Sequence, residues 1–119
     1  MTTYNLTGDQ AIQQGATYTK SIVWKDGAGV VMNLTGYSAK MQIRSSVSAP
    51  KVLAEIATSP GSGIALGGVL GTIDLTISAA LTGAIGEADG VYDLELTSGG
   101  GVVTRLLEGA VEITPQVTR

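Results

Sequence analysis

Apolar and polar residues alternate most regularly between positions 37 and 44. In that stretch Ala39, Met41 and Ile43 are separated by single polar residues. A period of two is typical of a β-strand with one buried face. The pattern therefore predicts a strand with one side facing the core and the other facing water or a partner.

A second alternating segment predicts a β-hairpin. Residues 91–97 alternate, residues 98–101 form the turn Ser-Gly-Gly-Gly, and residues 102–107 run back. Two alternating runs around a short glycine-rich turn are the usual signature of a hairpin. Residues 109–113 continue the period of two.

Glycine-rich turns divide the rest of the sequence into further short strands. The segment 16–25 leads through Asp-Gly-Ala-Gly into the apolar run 30–32, which predicts a first hairpin. The segments 64–66 and 72–77 flank Gly-Gly-Val-Leu-Gly and predict another. Additional strands are predicted at residues 3–6 and 52–57.

Only one helix is predicted, at about residues 78–85. Ser78 can cap it, and Gly83 and Gly86 limit it to about two turns. About eight short strands without a helix long enough for a parallel crossover predict an all-β, two-sheet sandwich. We expect one domain over residues 1–119, with a short N-terminal arm at about 1–14 and an extended C-terminal tail at 114–119, because Pro115 lacks the amide that a ladder needs.

Composition excludes several classes of chemistry. The 119 residues include no Cys and no His, so disulfides, thiolate metal sites and mechanisms with a histidine base are excluded. The net charge is −3 and the seven basic residues are dispersed, which argues against a nucleic-acid partner. No long apolar run or leader-like segment occurs, so we expect no membrane association and no secretion signal.

Aromatic residues make up only 4% of the chain, and Phe is absent. The core is therefore predicted to be aliphatic, with Trp24 as its only large anchor. Trp24, Tyr18, Tyr37 and Tyr92 raise the alternative of a sugar-stacking platform. We favour packing in the core for Trp24 and Tyr92, which lie on apolar faces, and leave Tyr18 and Tyr37 open.

Acidic residues gather around the second alternating segment. Asp93 and Glu95 are two positions apart, so both carboxylates project from one face of a strand, and Glu87 and Asp89 precede them. Paired carboxylates suit glycosidic acid-base catalysis or a Ca²⁺ site. The interpretation we favour is the solvated face of a half-buried strand.

The run Gly61-Ser62-Gly63 together with Gly67-Gly68 raises the alternative of a phosphate cradle. The Gly-Lys-Ser/Thr ending of a P-loop is missing and a strand follows, so we interpret these glycines as turn residues.

The segment from Val31 to Arg44 resembles the signature of small tail modules of tailed bacteriophages. In those modules Leu-Thr-Gly, here Leu34-Thr35-Gly36, leads into a strand of alternating apolar and basic residues. The segments 71–77 and 90–109 fit the same layout, so the resemblance covers about residues 15–119. The chain is similar to the N-terminal immunoglobulin-like domain of the upper baseplate proteins of lactococcal phages, which implies an immunoglobulin-like, antiparallel sandwich.

The resemblance implies a non-enzymatic structural protein of the virion, assembled in the bacterial host cytoplasm. Its expected role is an adaptor in the tail, baseplate or fibre-attachment region, with other phage structural proteins and copies of itself as partners. The alternatives are a capsid decoration protein and a carbohydrate-binding module for host-surface glycans. We expect no catalytic residue, metal or cofactor. The residues expected at a protein interface are Tyr37, Lys40, Gln42, Arg44, Pro115, Gln116, Val117, Thr118 and Arg119.

Overall fold

The computed structural model describes residues 2–58, 63–86 and 89–116, which form two β-sheets around one apolar core. The predicted all-β sandwich is confirmed. The elements, in chain order, are β1 (Thr2–Thr3), β2 (Ile12–Gln13), β3 (Tyr18–Val23), β4 (Ser38–Arg44), β5 (Ala54–Ala57), β6 (Ile64–Leu66), β7 (Thr72–Ile77), α1 (Ala79–Gly83), β8 (Asp89–Thr97) and β9 (Val103–Thr114).

The larger sheet has the order β1-β9-β8-β4-β5, with β2 also paired to β9, and the smaller sheet has the order β3-β7-β6. The chain passes from one sheet to the other after β2, after β3, after β5 and after β7. Sequential pairs of strands that alternate between two sheets in this order make an immunoglobulin-like sandwich. The topology follows because each predicted hairpin buries only one face and needs the other sheet to cover it.

The core between the sheets is aliphatic, as predicted. Tyr92 is the aromatic residue among its buried members, and Trp24 is half-buried at the margin of the core. The largest fully buried side chains are Leu6, Ile12, Leu34, Met41, Ile43, Ile73, Ile77, Ile85, Leu94, Leu96, Val111 and Thr82.

The short helix lies between the sheets in sequence, as predicted, and spans 79–83 within the expected range. The hydroxyl of Ser78 accepts a hydrogen bond from the amide of Leu81 at 3.2 Å and caps it. Thr82, the buried polar residue, donates to the carbonyl of Ala16 at 2.8 Å and accepts from the amide of Gly15 at 3.1 Å. The helix thereby fastens the turn that precedes β3.

The hairpin of β8 and β9 is longer than the sequence pattern indicated. The predicted returning stretch 102–107 and the segment 109–113 belong to one continuous strand, β9. The register shifts between Leu94, which pairs with Leu107, and Glu95, which pairs with Arg105. The extra residue is a β-bulge, and it lets Leu107 return to the buried face.

The first predicted hairpin forms only next to its turn, where the amide of Asp26 donates to the carbonyl of Val30 and the amide of Met32 donates to the carbonyl of Trp24. β3 pairs over its whole length with β7, whereas the run 30–32 contributes one bridge, between Lys25 and Val31. A run of three residues cannot hydrogen-bond all the backbone amides and carbonyls along one edge of a six-residue strand, whereas β7, which has six residues, can. The turn itself forms, because the carboxylate of Asp26 accepts from the amides of Ala28 and Val30 at 2.9 and 3.0 Å.

The N-terminal segment is part of the sandwich, which corrects the predicted arm. β1, Leu6 and β2 pair in parallel with β9, so the larger sheet is not purely antiparallel. Leu6 and Ile12 are 1% and 0% exposed. Burying these two side chains and pairing the edge of β9 both favour a docked segment over a free arm.

The predicted tail is also held at its start. Thr114 still pairs with Gln13, and the amide of Gln116 donates to the side-chain oxygen of Gln14 at 3.0 Å. Pro115 is exposed. The remaining predicted tail residues, Val117, Thr118 and Arg119, lie outside the described residues.

Candidate interaction surfaces

The outer face of the larger sheet collects two groups of residues that the sequence had suggested separately. Lys40 on β4 pairs across the strands with Glu95 on β8, and Gln42 pairs with Asp93. The predicted polar face of β4 and the acidic pair of β8 are therefore one mixed-charge surface. Opposite charges on neighbouring strands stabilise such a face modestly.

Arg44 and Gln42 are engaged in hydrogen bonds on this face. Arg44 donates to the carbonyls of Ala49 and Pro50 at 2.8 and 3.1 Å and to the side-chain oxygen of Gln42 at 2.9 Å. The amide group of Gln42 in turn donates to the carboxylate of Glu55. These contacts anchor the loop between β4 and β5, so Arg44 has a structural role besides any role at an interface.

The acidic residues are arranged as ordinary sheet surface. Asp93 lies 3.6 Å from the guanidinium of Arg105, which also lies 3.9 Å from Glu108. The side chains of Asp93 and Arg105 are 40% and 51% exposed. They border a groove of about 330 Å³ whose lining includes Arg44, Val47 and Glu108. The two arginines and the two carboxylates of this lining balance in charge.

A metal site is not formed by the acidic residues that the structure describes. Over the described ranges, no group of three or more Asp or Glu side chains is placed to hold a metal ion. Asp89 is the first residue of β8, and Glu87 lies outside the described residues. Among the residues that the structure describes, no helix is long and apolar enough to cross a membrane.

The glycine-rich turn after β6 is a hydrogen-bonded turn. The amides of Leu70 and Gly71 donate to the carbonyls of Gly67 and Gly68, and the amide of Gly67 donates to Thr72. Because these donors are used within the turn, they do not form an anion cradle. Of the other candidate residues, Gly61 and Ser62 lie outside the described residues.

The aromatic residues do not form an exposed platform. Trp24 and Tyr37 contact each other edge to face, with ring centroids 6.1 Å apart, and both are half-buried against the core. Tyr92 is buried and donates to the carbonyl of Tyr4 at 2.6 Å. The hydroxyl of Tyr18 is buried and has no hydrogen-bond partner among the described residues. Burial, and to a smaller extent the electrostatic effect of Tyr4, raises the pKa of this hydroxyl.

The exposed apolar side chains concentrate at one end of the sandwich. The end of β3 faces the start of β7, and the end of β8 faces the starts of β4 and β9, so the turns that join these strands meet there. Of the nine exposed large apolar residues in the described ranges, seven belong to this end and are 39% to 68% exposed. This apolar end consists of Val23, Val30, Val31, Val69, Leu70, Val102 and Val103.

The turns of the apolar end are fastened to one another across the two sheets. The amide of Leu34 donates to the carbonyl of Gly68 at 2.8 Å, and the amide of Met32 donates to Trp24 at 2.9 Å. Gly36 has a φ of +82°, and its carbonyl lies next to Gly99 of the β8–β9 turn. Glycine adopts this left-handed conformation without strain. The end is therefore built from hydrogen-bonded turns.

Charge is nearly absent from the same turns. In the segments 24–37, 67–71 and 98–102 the charged residues are Lys25 and Asp26. The valines and the leucine of this end were not among the residues predicted at an interface. The available signal was the presence of large apolar residues inside Gly-Gly-Val-Leu-Gly and Gly-Gly-Gly-Val, where no strand needs them.

Comparison with known proteins gives a weak structural likeness. The chain is similar to the extracellular domains 3–5 of Drosophila OTK, with a TM-score of 0.37 and 15% sequence identity over 99% of this chain and 34% of that chain. It thus spans about a third of the length of that structure. No family model matches the chain and no curated protein is significantly similar to it.

Proposed function

We propose that this protein is a non-enzymatic structural component of a tailed-phage particle that acts through protein interfaces in the tail, baseplate or fibre-attachment region. The observation that carries the proposal is the apolar end. Seven large aliphatic side chains lie exposed there on connected turns and the adjoining strand ends, and the charged residues of these turns are one lysine and one aspartate. A concentration of exposed large apolar residues at one end of a folded protein, with few charges among them, is characteristic of an interaction site.

The construction of the apolar end suits a protein partner. Its turns are held by backbone hydrogen bonds and by side-chain caps, such as the hydroxyl of Ser98, which accepts from the amide of Val102 at 3.1 Å. A surface that is already ordered loses little conformational entropy on binding. The seven exposed side chains are aliphatic, so they offer apolar area for burial rather than an aromatic surface on which sugar rings stack.

The phage assignment rests on the resemblance of residues 31–44 to the tail modules. The Leu34-Thr35-Gly36 turn of that signature lies within the apolar end, where Leu34 and Gly36 contact the other turns. The strand that follows, β4, supplies Lys40 to the mixed-charge face. The segment that supports the assignment therefore contributes to both surfaces, and the proposed location is the virion.

The experiment that tests this proposal is detection and localisation of the protein in particles. Phage particles produced by the genome that encodes this chain would be purified, analysed by mass spectrometry and labelled through an epitope tag. Label at the tail or baseplate is the expected result, and label over the shell would instead indicate a capsid decoration protein. Absence from infectious particles would refute the virion role.

Two matched variants connect the particle experiment to the apolar end. The double variant Leu70→Glu with Val102→Glu is expected to abolish incorporation, because carboxylates are costly to bury in an interface. Val47→Glu changes a valine that is 89% exposed and remote from the apolar end, and is expected to incorporate normally. A glycan array that detects specific binding, lost on Tyr18→Ala, would favour the carbohydrate-binding alternative.

A further inference from the structure

We infer that the apolar end binds the apolar end of a second copy of this chain, so that two molecules join end to end about a two-fold axis. The inference rests on the proposed function in that both take this end as a protein interface. It adds the identity of the partner and the geometry of the contact.

The charges of the apolar end favour a copy of itself as the partner. Lys25 and Asp26 are adjacent and of opposite sign, and the remaining residues of the turns are uncharged. In a two-fold contact each patch meets the same patch, so Lys25 of one molecule can face Asp26 of the other. Two molecules that each carry a net charge of −3 thereby meet where neither has an unbalanced charge.

The size of the end is sufficient for a weak to moderate protein contact. The molecule measures 43 × 28 × 27 Å. β9 has twelve residues and, at about 3.3 Å per residue, a length of about 40 Å, so the strands follow the longest dimension and the two shorter ones bound the end. A flat contact within them has an area on the order of 600 Å² per partner, somewhat below the 800 Å² or so of a standard interface. The expected dimer is therefore reversible and depends on concentration.

The edge of β3 is a poorer place for a second copy. β3 pairs on one side with β7, and no strand among the described residues covers its other side. Lys20 points inward from this strand, and its ammonium donates to the hydroxyl of Tyr4 at 2.9 Å and to Gln10 at 3.1 Å. An inward-pointing charge on an edge strand opposes pairing with another chain.

A lipid surface is also less favoured than a second copy. Segments that lie in a membrane interface usually present Trp or Tyr at their tips and several basic residues. The apolar end has one lysine, and its neighbouring rings, Trp24 and Tyr37, pack against each other.

The test is the state of association of the purified protein. Sedimentation equilibrium over about 1–500 µM, the range for a contact of this size, is expected to show a monomer–dimer equilibrium. Leu70→Glu with Val102→Glu is expected to weaken dimerisation by at least about tenfold, whereas Val47→Glu leaves it unchanged. Lys25→Glu is expected to weaken it more at low salt than at high salt. Circular dichroism and a thermal melt check that each variant is folded.

Small-angle X-ray scattering determines the geometry. An end-to-end dimer has a maximum dimension of roughly twice the 43 Å length of one molecule, and a dimer joined along β3 is much shorter. A wild-type protein that stays monomeric, a dimer that persists in the glutamate variant, or a side-by-side dimer would each overturn the inference. Flotation of the wild-type protein with phosphatidylcholine vesicles, without dimerisation, would overturn it in favour of lipid.

The outcome is separable from that of the proposed function. If the wild-type protein is monomeric but the glutamate variant fails to enter particles, the apolar end faces a different particle protein, and only the second-copy inference fails. If the dimer forms as described and the protein is absent from particles, only the virion role fails.

Discussion

Replacing Leu6 by Ala tests whether the N-terminal segment belongs to the core. Leu6 is 1% exposed, its amide donates to the carbonyl of Ala110 at 2.8 Å, and its carbonyl accepts from Glu112 at 2.9 Å. The backbone bonds survive the substitution, so the loss is that of a buried aliphatic side chain and the cavity that it leaves. Such truncations cost about 2–5 kcal/mol.

That loss is a large part of the total stability. A domain of this length is stable by about 6–18 kcal/mol, and the melting temperature is expected to fall by about 8–20 °C. The measurement is urea unfolding followed by the fluorescence of Trp24, the one tryptophan of the chain, with circular dichroism as a second probe. Val47→Ala, at a position that is 89% exposed, is the control and is expected to change stability by less than about 0.5 kcal/mol.

A free arm gives the opposite result. If residues 1–14 projected from the sandwich, Leu6→Ala would behave like the Val47→Ala control. A difference of less than about 0.5 kcal/mol between the Leu6 variant and the wild-type protein would refute the docked segment and, with it, the parallel pairing to β9.

Three further substitutions have defined outcomes. Gly109→Ala places a Cβ in steric conflict with the carbonyl oxygen of Tyr4 and is expected to cost about 1–3 kcal/mol in urea unfolding. The pKa of Tyr92 is raised, mainly by burial and to a smaller extent by Tyr18 and Tyr4. The unfolded chain loses this proton above about pH 10 while the folded protein keeps it, so the unfolding free energy falls there by up to about 1.4 kcal/mol per pH unit. Tyr92→Phe is expected to reduce that slope. Arg44→Ala removes two hydrogen bonds to the carbonyls of residues 49 and 50 and is expected to speed amide hydrogen exchange in residues 45–53.

For each of these three predictions, one result would contradict it. Gly100→Ala adds a Cβ that lies 3.9 Å from the hydroxyl oxygen of Ser98, and an equal loss at both glycines would contradict the close approach of Tyr4. An alkaline slope identical in the wild-type protein and Tyr92→Phe would contradict a raised pKa. Unchanged exchange in residues 45–53 would mean that Arg44 does not anchor the loop.

The strands with a regular period of two were predictable from the sequence. In β4 and β8 every second residue is buried and the residues between are half-buried or exposed, because one sheet face is covered and the other is not. The second hairpin and the helix followed from glycine turns and from Ser78 as a cap. These are local signals, and each lies within about fifteen residues.

The features that were missed depend on contacts between distant residues. Leu6 and Ile12 are isolated apolar residues in a polar stretch, and only the open edge of β9, more than 100 residues later, gives them a place. Likewise Val30, Val69 and Val102 each lie in a different turn, and they share an end only because the topology of the sandwich brings those turns together. Periodicity carries no information about such contacts.

The parallel pairing of the N-terminal segment with β9 imposes an order on synthesis. Leu6 leaves the ribosome before its partner Val111, which lies more than 100 residues later in the chain. Contacts separated by most of the chain form slowly because a long loop must close first. The nascent chain therefore exposes Leu6 and Ile12 until β9 emerges, and the sandwich closes only after translation has passed residue 114.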